Sequence, residues 1–176
     1  MDKKIAILQY FMEDPTGSFH IREIARLARL NHMTVRSSLN SLVQEGFLLK
    51  KKAKLYPAYM ANPDKKFKNL KRYCNLERLR ESKLIEDLEE QYDYPVIILF
   101  GSYASATNTK ESDVDLLVIT NIQKKQDLQK YEKALGRKIS LSLVTEKEFN
   151  RMKTKNKELV NNLCNGEVLS GKLEVI

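Results

Sequence analysis

Two aspartates one residue apart, Asp113 and Asp115, open the apolar run Leu116-Leu117-Val118-Ile119. Ten residues upstream, Gly101-Ser102 closes another apolar run, Val96-Ile97-Ile98-Leu99-Phe100. Side chains two apart on a strand share a face, so the two carboxylates present hard oxygen ligands side by side, as Mg²⁺ requires. The glycine lets the backbone approach a ligand closely, and the serine adds a hydroxyl at the strand end, which suits a phosphate. Together these residues have the chemistry of half a metal-assisted phosphoryl-transfer site. Gly-Ser and Asp are also ordinary turn residues. Two carboxylates on one face repel, however, and selection for stability alone would disfavour the pair.

Such a pair works only if two strands and a tight turn place it. The runs at 96–100 and 114–119 supply the strands. Gln126 to Leu135 reads as a helix stopped by Gly136, and Lys138–Thr145 alternates apolar and polar residues as a third strand. Glu146–Met152 and Lys157–Cys164 read as helices, and Leu169–Ile176 as a terminal strand. Strand, turn-helix, strand, helix, strand is α+β organisation around one small mixed sheet.

The Gly-Ser-x10-Asp-x-Asp pattern between two apolar strands resembles the minimal nucleotidyltransferases of the DNA polymerase β-like superfamily, over roughly residues 95–152. The resemblance implies that Gly101 and Ser102 bind the triphosphate of a nucleotide. It implies that Asp113 and Asp115 are the metal ligands and catalytic carboxylates, holding Mg²⁺ or Mn²⁺ across the phosphates. In that family a third carboxylate on a later strand completes the site. Here the position falls near Ser140, or Ser142, and neither is acidic. A serine hydroxyl neither shares the metal charge nor takes a proton at neutral pH. Two ligands still suffice for a Mg²⁺-nucleotide, because Mg²⁺ is often held by one or two carboxylates with phosphates and water. Transfer chemistry is expected to be impaired unless Glu111 or another acid substitutes. Thr107 is a second departure, near where many relatives carry glycine.

The N-terminal third reads differently. Ile5, Ile7, Leu8, Phe11 and Met12 form a helical stripe that ends before Asp14-Pro15-Thr16-Gly17. His20–Ala28 is a short amphipathic helix with Ile21, Ile24, Ala25 and Ala28 inward. Asn31 is placed to cap a third helix with Val35, Leu39, Leu42 and Val43 on its apolar face, and Gly46 follows its end. Phe47 to Tyr59 reads as a hairpin with a lysine-rich tip. Three helices and a basic hairpin resemble the winged helix-turn-helix, over roughly residues 2–62. The resemblance implies that the third helix enters the major groove of DNA. Met33, Arg36, Ser37 and Asn40, opposite the apolar face, are then the groove candidates, and Arg36 and Asn40 can read base edges. Lys50, Lys51, Lys52 and Lys54 would contact phosphate. A protein-binding module with lysines that merely solvate a turn is the alternative reading of the same segment.

Residues 1–66 hold 12 Lys or Arg against 6 Asp or Glu, most of the chain's formal charge of +8, and this excess favours an anionic partner. The expected domains are 1–63, a helical linker 64–94 and 95–176. The linker pattern falters around Arg80-Glu81-Ser82, so two helices or one kinked helix are expected, packing the domains together or forming a homodimer contact. No run is long and apolar enough for a membrane span or a signal peptide. Cys74 and Cys164 lack metal-ligand spacing and read as plain thiols in a reducing cytoplasm.

The sequence thus points to a cytoplasmic DNA-binding protein, acting in transcription regulation, with a nucleotidyltransferase-like domain that binds Mg²⁺-nucleotide. The alternative is an active nucleotidyltransferase that modifies a protein or nucleic-acid acceptor, as an antitoxin-like enzyme does.

Overall fold

A computed structural model describes residues 3–52, 56–155 and 157–173. The chain is α+β and divides into two compact units, Met1–Lys71 and Arg72–Ile176.

The first unit begins with α1 (Lys3–Glu13), β1 (Ser18–His20), α2 (Ile21–Ala28) and α3 (His32–Gln44). It continues with β2 (Leu48–Lys51) and β3 (Ala58–Ala61), which form an antiparallel sheet in the order β1-β3-β2. Ile7, Leu8, Phe11 and Met12 of α1 are buried, as are Ile24 of α2 and Val35, Leu39 and Leu42 of α3. Ile5, at the margin of the α1 stripe, is instead 38% exposed.

Local chemistry sets the ends of α3. The Asn31 side chain accepts the Met33 N–H at 2.8 Å, satisfying one of the orphan donors of the first turn. Past the C-terminus Gly46 takes φ +80°, a left-handed backbone that glycine adopts without strain. The second helix starts one residue later than the amphipathic pattern expects. His20 ends β1, paired with Ala58, and its N–H donates to Glu23 Oε2 at 3.4 Å, so it precedes the helix. The two hairpin strands pair, Leu48 with Ala61 through Lys51 with Ala58, so the second strand runs past Tyr59, where the expected hairpin ends. Lys54, part of its expected basic tip, lies outside the described residues.

The division between the units falls within α4 (Lys65–Glu81), whose first N–H is accepted by Asp64 Oδ1 at 2.6 Å. The helix breaks where the apolar phase falters: Lys83 has φ +60°, and α5 (Leu84–Gln91) follows. Then come β4 (Val96–Phe100), α6 (Gly101–Ala104), β5 (Val114–Ile119), α7 (Gln129–Leu135) and β6 (Ile139–Val144). The described elements finish with α8 (Glu146–Lys155), α9 (Lys157–Cys164) and β7 (Glu167–Ser170). The sheet order is β6-β5-β4-β7, with β4–β5 and β4–β7 antiparallel and β5–β6 parallel.

Both faces of this sheet are covered, which is why β4 and β5 read as continuous apolar runs. Ile97, Leu99, Leu116 and Val118 join Leu84, Leu88, Tyr103, Tyr131 and Leu135 in one cluster. Ile98, Leu117 and Ile119 join Phe149 and Leu163 in the other. Two expected boundaries move. The α7 helix starts at Gln129, three residues later than expected, because Asp127 Oδ1 accepts the Gln129 N–H at 3.1 Å and sets the first turn there. The last strand runs Glu167–Ser170 and ends at Gly171, φ +72°, while residues 174–176 of the expected strand lie outside the described residues. Cys74 is half-buried, and burial pushes its thiol pKa up, away from reactivity.

Candidate functional site

The end of β4 and the start of β5 meet as neighbours: Phe100 pairs with Asp115 and Leu99 with Leu116. The chain leaves β4 through Gly101, which takes φ +70°. A Cβ built there would overlap Asp115 Oδ2 and lie 3.3 Å from Asp115 Cγ. Only glycine both adopts this backbone freely and leaves room for the carboxylate. Asp115 is therefore held directly under the Gly-Ser turn.

Asp115 is half-buried, and Asp113 is exposed one residue before the strand begins. Burial raises the Asp115 pKa above the usual aspartate value, and the nearby Asp113 carboxylate raises it further. Both effects disfavour the ionised pair, and a bound cation would relieve them. Across the parallel pairing Asp115 lies opposite Ser140. An acid at that register position would lie on the same face of the sheet; the serine present brings a neutral hydroxyl. Among the described residues no three His, Cys, Asp or Glu side chains gather as a metal site. The donor set fits a Mg²⁺ ion that takes two carboxylates and completes its shell with phosphate oxygens and water.

The segment between the two halves of the motif is pinned at several points. Ser102 is half-buried, and its carbonyl accepts the N–H groups of Thr107 at 3.0 Å and Asn108 at 3.2 Å. Asn108, 2% exposed, is met by Asn75 of α4, whose Nδ2 donates to Asn108 Oδ1 at 3.0 Å and to the Tyr103 carbonyl at 2.8 Å. The Arg137 guanidinium, just past α7, donates to the carbonyls of Thr109, Lys110 (3.1 Å) and Ser112 (3.0 Å). It also lies 5.6 Å from the centre of the Tyr103 ring. One cation thus clamps the loop that delivers Asp113 and packs against the helix that carries Ser102. Neither Asn75 nor Arg137 stands out in the sequence. Their one local sign is a polar residue where an apolar phase or a strand start calls for none.

In the first unit, Met33 is 66% exposed, and Arg36 and Ser37 are exposed on the same side of α3, away from Val35, Leu39 and Leu42. Asn40 is partly buried, and its Oδ1 accepts the Tyr59 hydroxyl at 3.2 Å, which ties it to the sheet. Lys50 and Lys51 are exposed on β2, and Lys52 is exposed just beyond it.

Residues 81–163 match the family model described as the nucleotidyltransferase domain. No curated protein matches the sequence. Among solved structures the chain is similar to a protein of Rhodococcus sp. RHA1 described as a candidate transcriptional regulator, with 14% identity and a TM-score of 0.35 over 71% of this chain and 46% of that one. It is also similar to TrmBL2, an archaeal chromatin protein described as having a novel mode of DNA binding, with 16% identity and a TM-score of 0.27 over 86% of this chain and 66% of that one. The chain therefore spans less than two thirds of the length of either structure. Likeness of this size assigns nothing to the present chain.

Proposed function

With residues 81–163 matching the nucleotidyltransferase domain model, we propose that this chain is a cytoplasmic DNA-binding regulator whose second unit binds a Mg²⁺-nucleotide, with transfer chemistry weakened at Ser140. The observation that carries the reading is Gly101 seated against Asp115, which sets the main chain of the Gly-Ser turn immediately beside a carboxylate pair. Asp113 and Asp115 are the residues that would hold Mg²⁺ or Mn²⁺; when bound, the ion supplies positive charge to the phosphates. Gly101 lets the main chain approach a phosphate oxygen, and the Ser102 hydroxyl is a donor for it. Asn75 and Arg137 keep that turn and the Asp113 loop in register. At the Ser140 position no side chain takes a proton from an attacking hydroxyl, which is why binding is favoured over turnover.

DNA recognition is assigned to the first unit. Arg36 and Ser37, with Met33 beside them, project from α3 toward a major groove, and Lys50, Lys51 and Lys52 follow the phosphates. With its Oδ1 engaged by Tyr59, Asn40 retains its amide donor for this role. Lys54 completes the basic tip in this reading. The second reading, an active transferase acting on a protein or nucleic-acid acceptor, is favoured by the intact Gly101-Ser102 and Asp113-Val114-Asp115 halves.

The test is incubation with α-labelled nucleotides and Mg²⁺ or Mn²⁺, offering protein and nucleic acid as acceptors, with Asp113→Asn/Asp115→Asn as control. Nucleotide bound without label transferred supports the regulator. Label that depends on the aspartates establishes the transferase instead. No metal-dependent nucleotide binding would sink both.

A further inference from the structure

A cleft of about 760 Å³ opens within the first unit, lined by α2, the N-terminal half of α3 and the β2–β3 hairpin. That is within the range of about 300–1,000 Å³ usual for small-molecule sites. Arg22 and Arg26, four apart on α2, share one side of that helix; Arg36 comes from α3 and Lys50 from β2. Among the described residues none of these four cations forms an ion pair with a carboxylate. These four cations outnumber the one carboxylate of the lining, Glu23, which accepts the His20 N–H at 3.4 Å, so the concavity carries a net positive charge that favours a bound anion.

The aromatic walls narrow the ligand class. The Arg22 guanidinium lies 5.4 Å from the Tyr56 ring centre, and the Lys50 ammonium 5.9 Å from that of Tyr59. Tyr59 is buried, while Tyr56 is 58% exposed and keeps ring surface open to a ligand. A phosphate chain answers the cations, and a planar base answers the open ring. A duplex is a convex rod that would cover the rim of this cleft rather than fill it.

We propose that this cleft binds a free nucleoside triphosphate, its phosphates held by Arg22, Arg26, Arg36 and Lys50 and its base against Tyr56. This site is separate from the Asp113–Asp115 pair and needs no metal. Arg36 and Lys50 also belong to the surface assigned to DNA. The further consequence that nucleotide and duplex exclude one another therefore rests on the DNA-binding reading.

The test uses the full chain carrying Asp113→Asn/Asp115→Asn in EDTA, so that binding at the aspartate pair is silent. ATP, GTP, CTP, UTP and inorganic tripolyphosphate are titrated separately by calorimetry. At least one nucleotide should bind, about tenfold tighter than tripolyphosphate, and Arg22→Ala/Arg26→Ala and Tyr56→Ala should each weaken it about tenfold. Unchanged circular dichroism would confirm that each variant folds, and Lys50→Ala is a second variant should the arginine pair fail. No nucleotide binding in EDTA overturns the proposal, as does binding that ignores these substitutions. Tripolyphosphate binding equal to nucleotide would reduce the cleft to a phosphate site and overturn the base assignment. In a parallel arm, nucleotide should release a labelled duplex, and a ternary complex would refute the exclusion. A chain that binds no duplex at all defeats the DNA reading alone, because the calorimetry still decides the cleft.

Discussion

Gly101 and Asp115 are fitted to each other. The left-handed backbone of the glycine, φ +70°, leaves the space its side chain would take, and the Asp115 carboxylate occupies that space. Strand pairing imposes the closeness, since Phe100, next to Gly101, is the register partner of Asp115.

Gly101→Ala should therefore damage binding and stability together. The left-handed backbone costs a residue with a Cβ about 1–2 kcal/mol, and the displaced carboxylate adds to that. Urea denaturation should show a loss of about 2–3 kcal/mol. Metal-dependent nucleotide affinity should fall more than tenfold. An alanine variant with wild-type affinity would mean that the turn is not the phosphate-facing element.

Asp115→Asn should separate the two quantities. Removing one of two repelling carboxylates from a half-buried position should leave stability unchanged or raise it by about 0.5 kcal/mol. Metal-dependent nucleotide binding should disappear. A large loss of stability would instead show that Asp115 is a structural residue.

Ser140→Asp tests the missing acid. The β5–β6 register puts the new carboxylate beside Asp115 on the same sheet face. The variant should bind Mn²⁺ about tenfold tighter, an effect of about 1.4 kcal/mol, and gain transfer activity. Without metal it should be slightly less stable, from the added like charge. No gain in either metal affinity or turnover would mean that more than one ligand is lacking.

Arg137→Met should loosen the loop that carries Asp113. Arg137 is 7% exposed and donates to three carbonyls, so its loss should cost about 3 kcal/mol. Arg137→Lys keeps the charge but not the planar fork, and should recover only part of that. Hydrogen exchange at residues 109–113 should speed up in both variants. Unchanged exchange there would argue that the clamp is redundant.

Much of this organisation is carried by short stretches of chain. Asn31 and Gly46 mark the ends of α3, Gly136 marks the end of α7 with φ +66°, and the break at Lys83 follows the faltering apolar phase. Caps and breaks of this kind depend on one or two residues and their own backbone, so composition exposes them. The nearness of Asp113 to Asp115 follows from their spacing of two in the same way, although Asp113 lies one residue before β5.

What bears on Asp115 from outside its own strand is another matter. Its closeness to Gly101, its place opposite Ser140 and the hold of Arg137 on the Asp113 loop all join residues 14 or more positions apart. The short strand β1 exists because β3, some forty residues later, pairs with it. Asn75 looks like any polar helix residue until Asn108 and the Tyr103 carbonyl are brought to it. Such partners are selected by the packing of the whole sheet, which buries particular polar groups and leaves each needing a hydrogen bond. No local pattern encodes that requirement, and so the carboxylate pair could be read from the chain while the clamps that aim it could not.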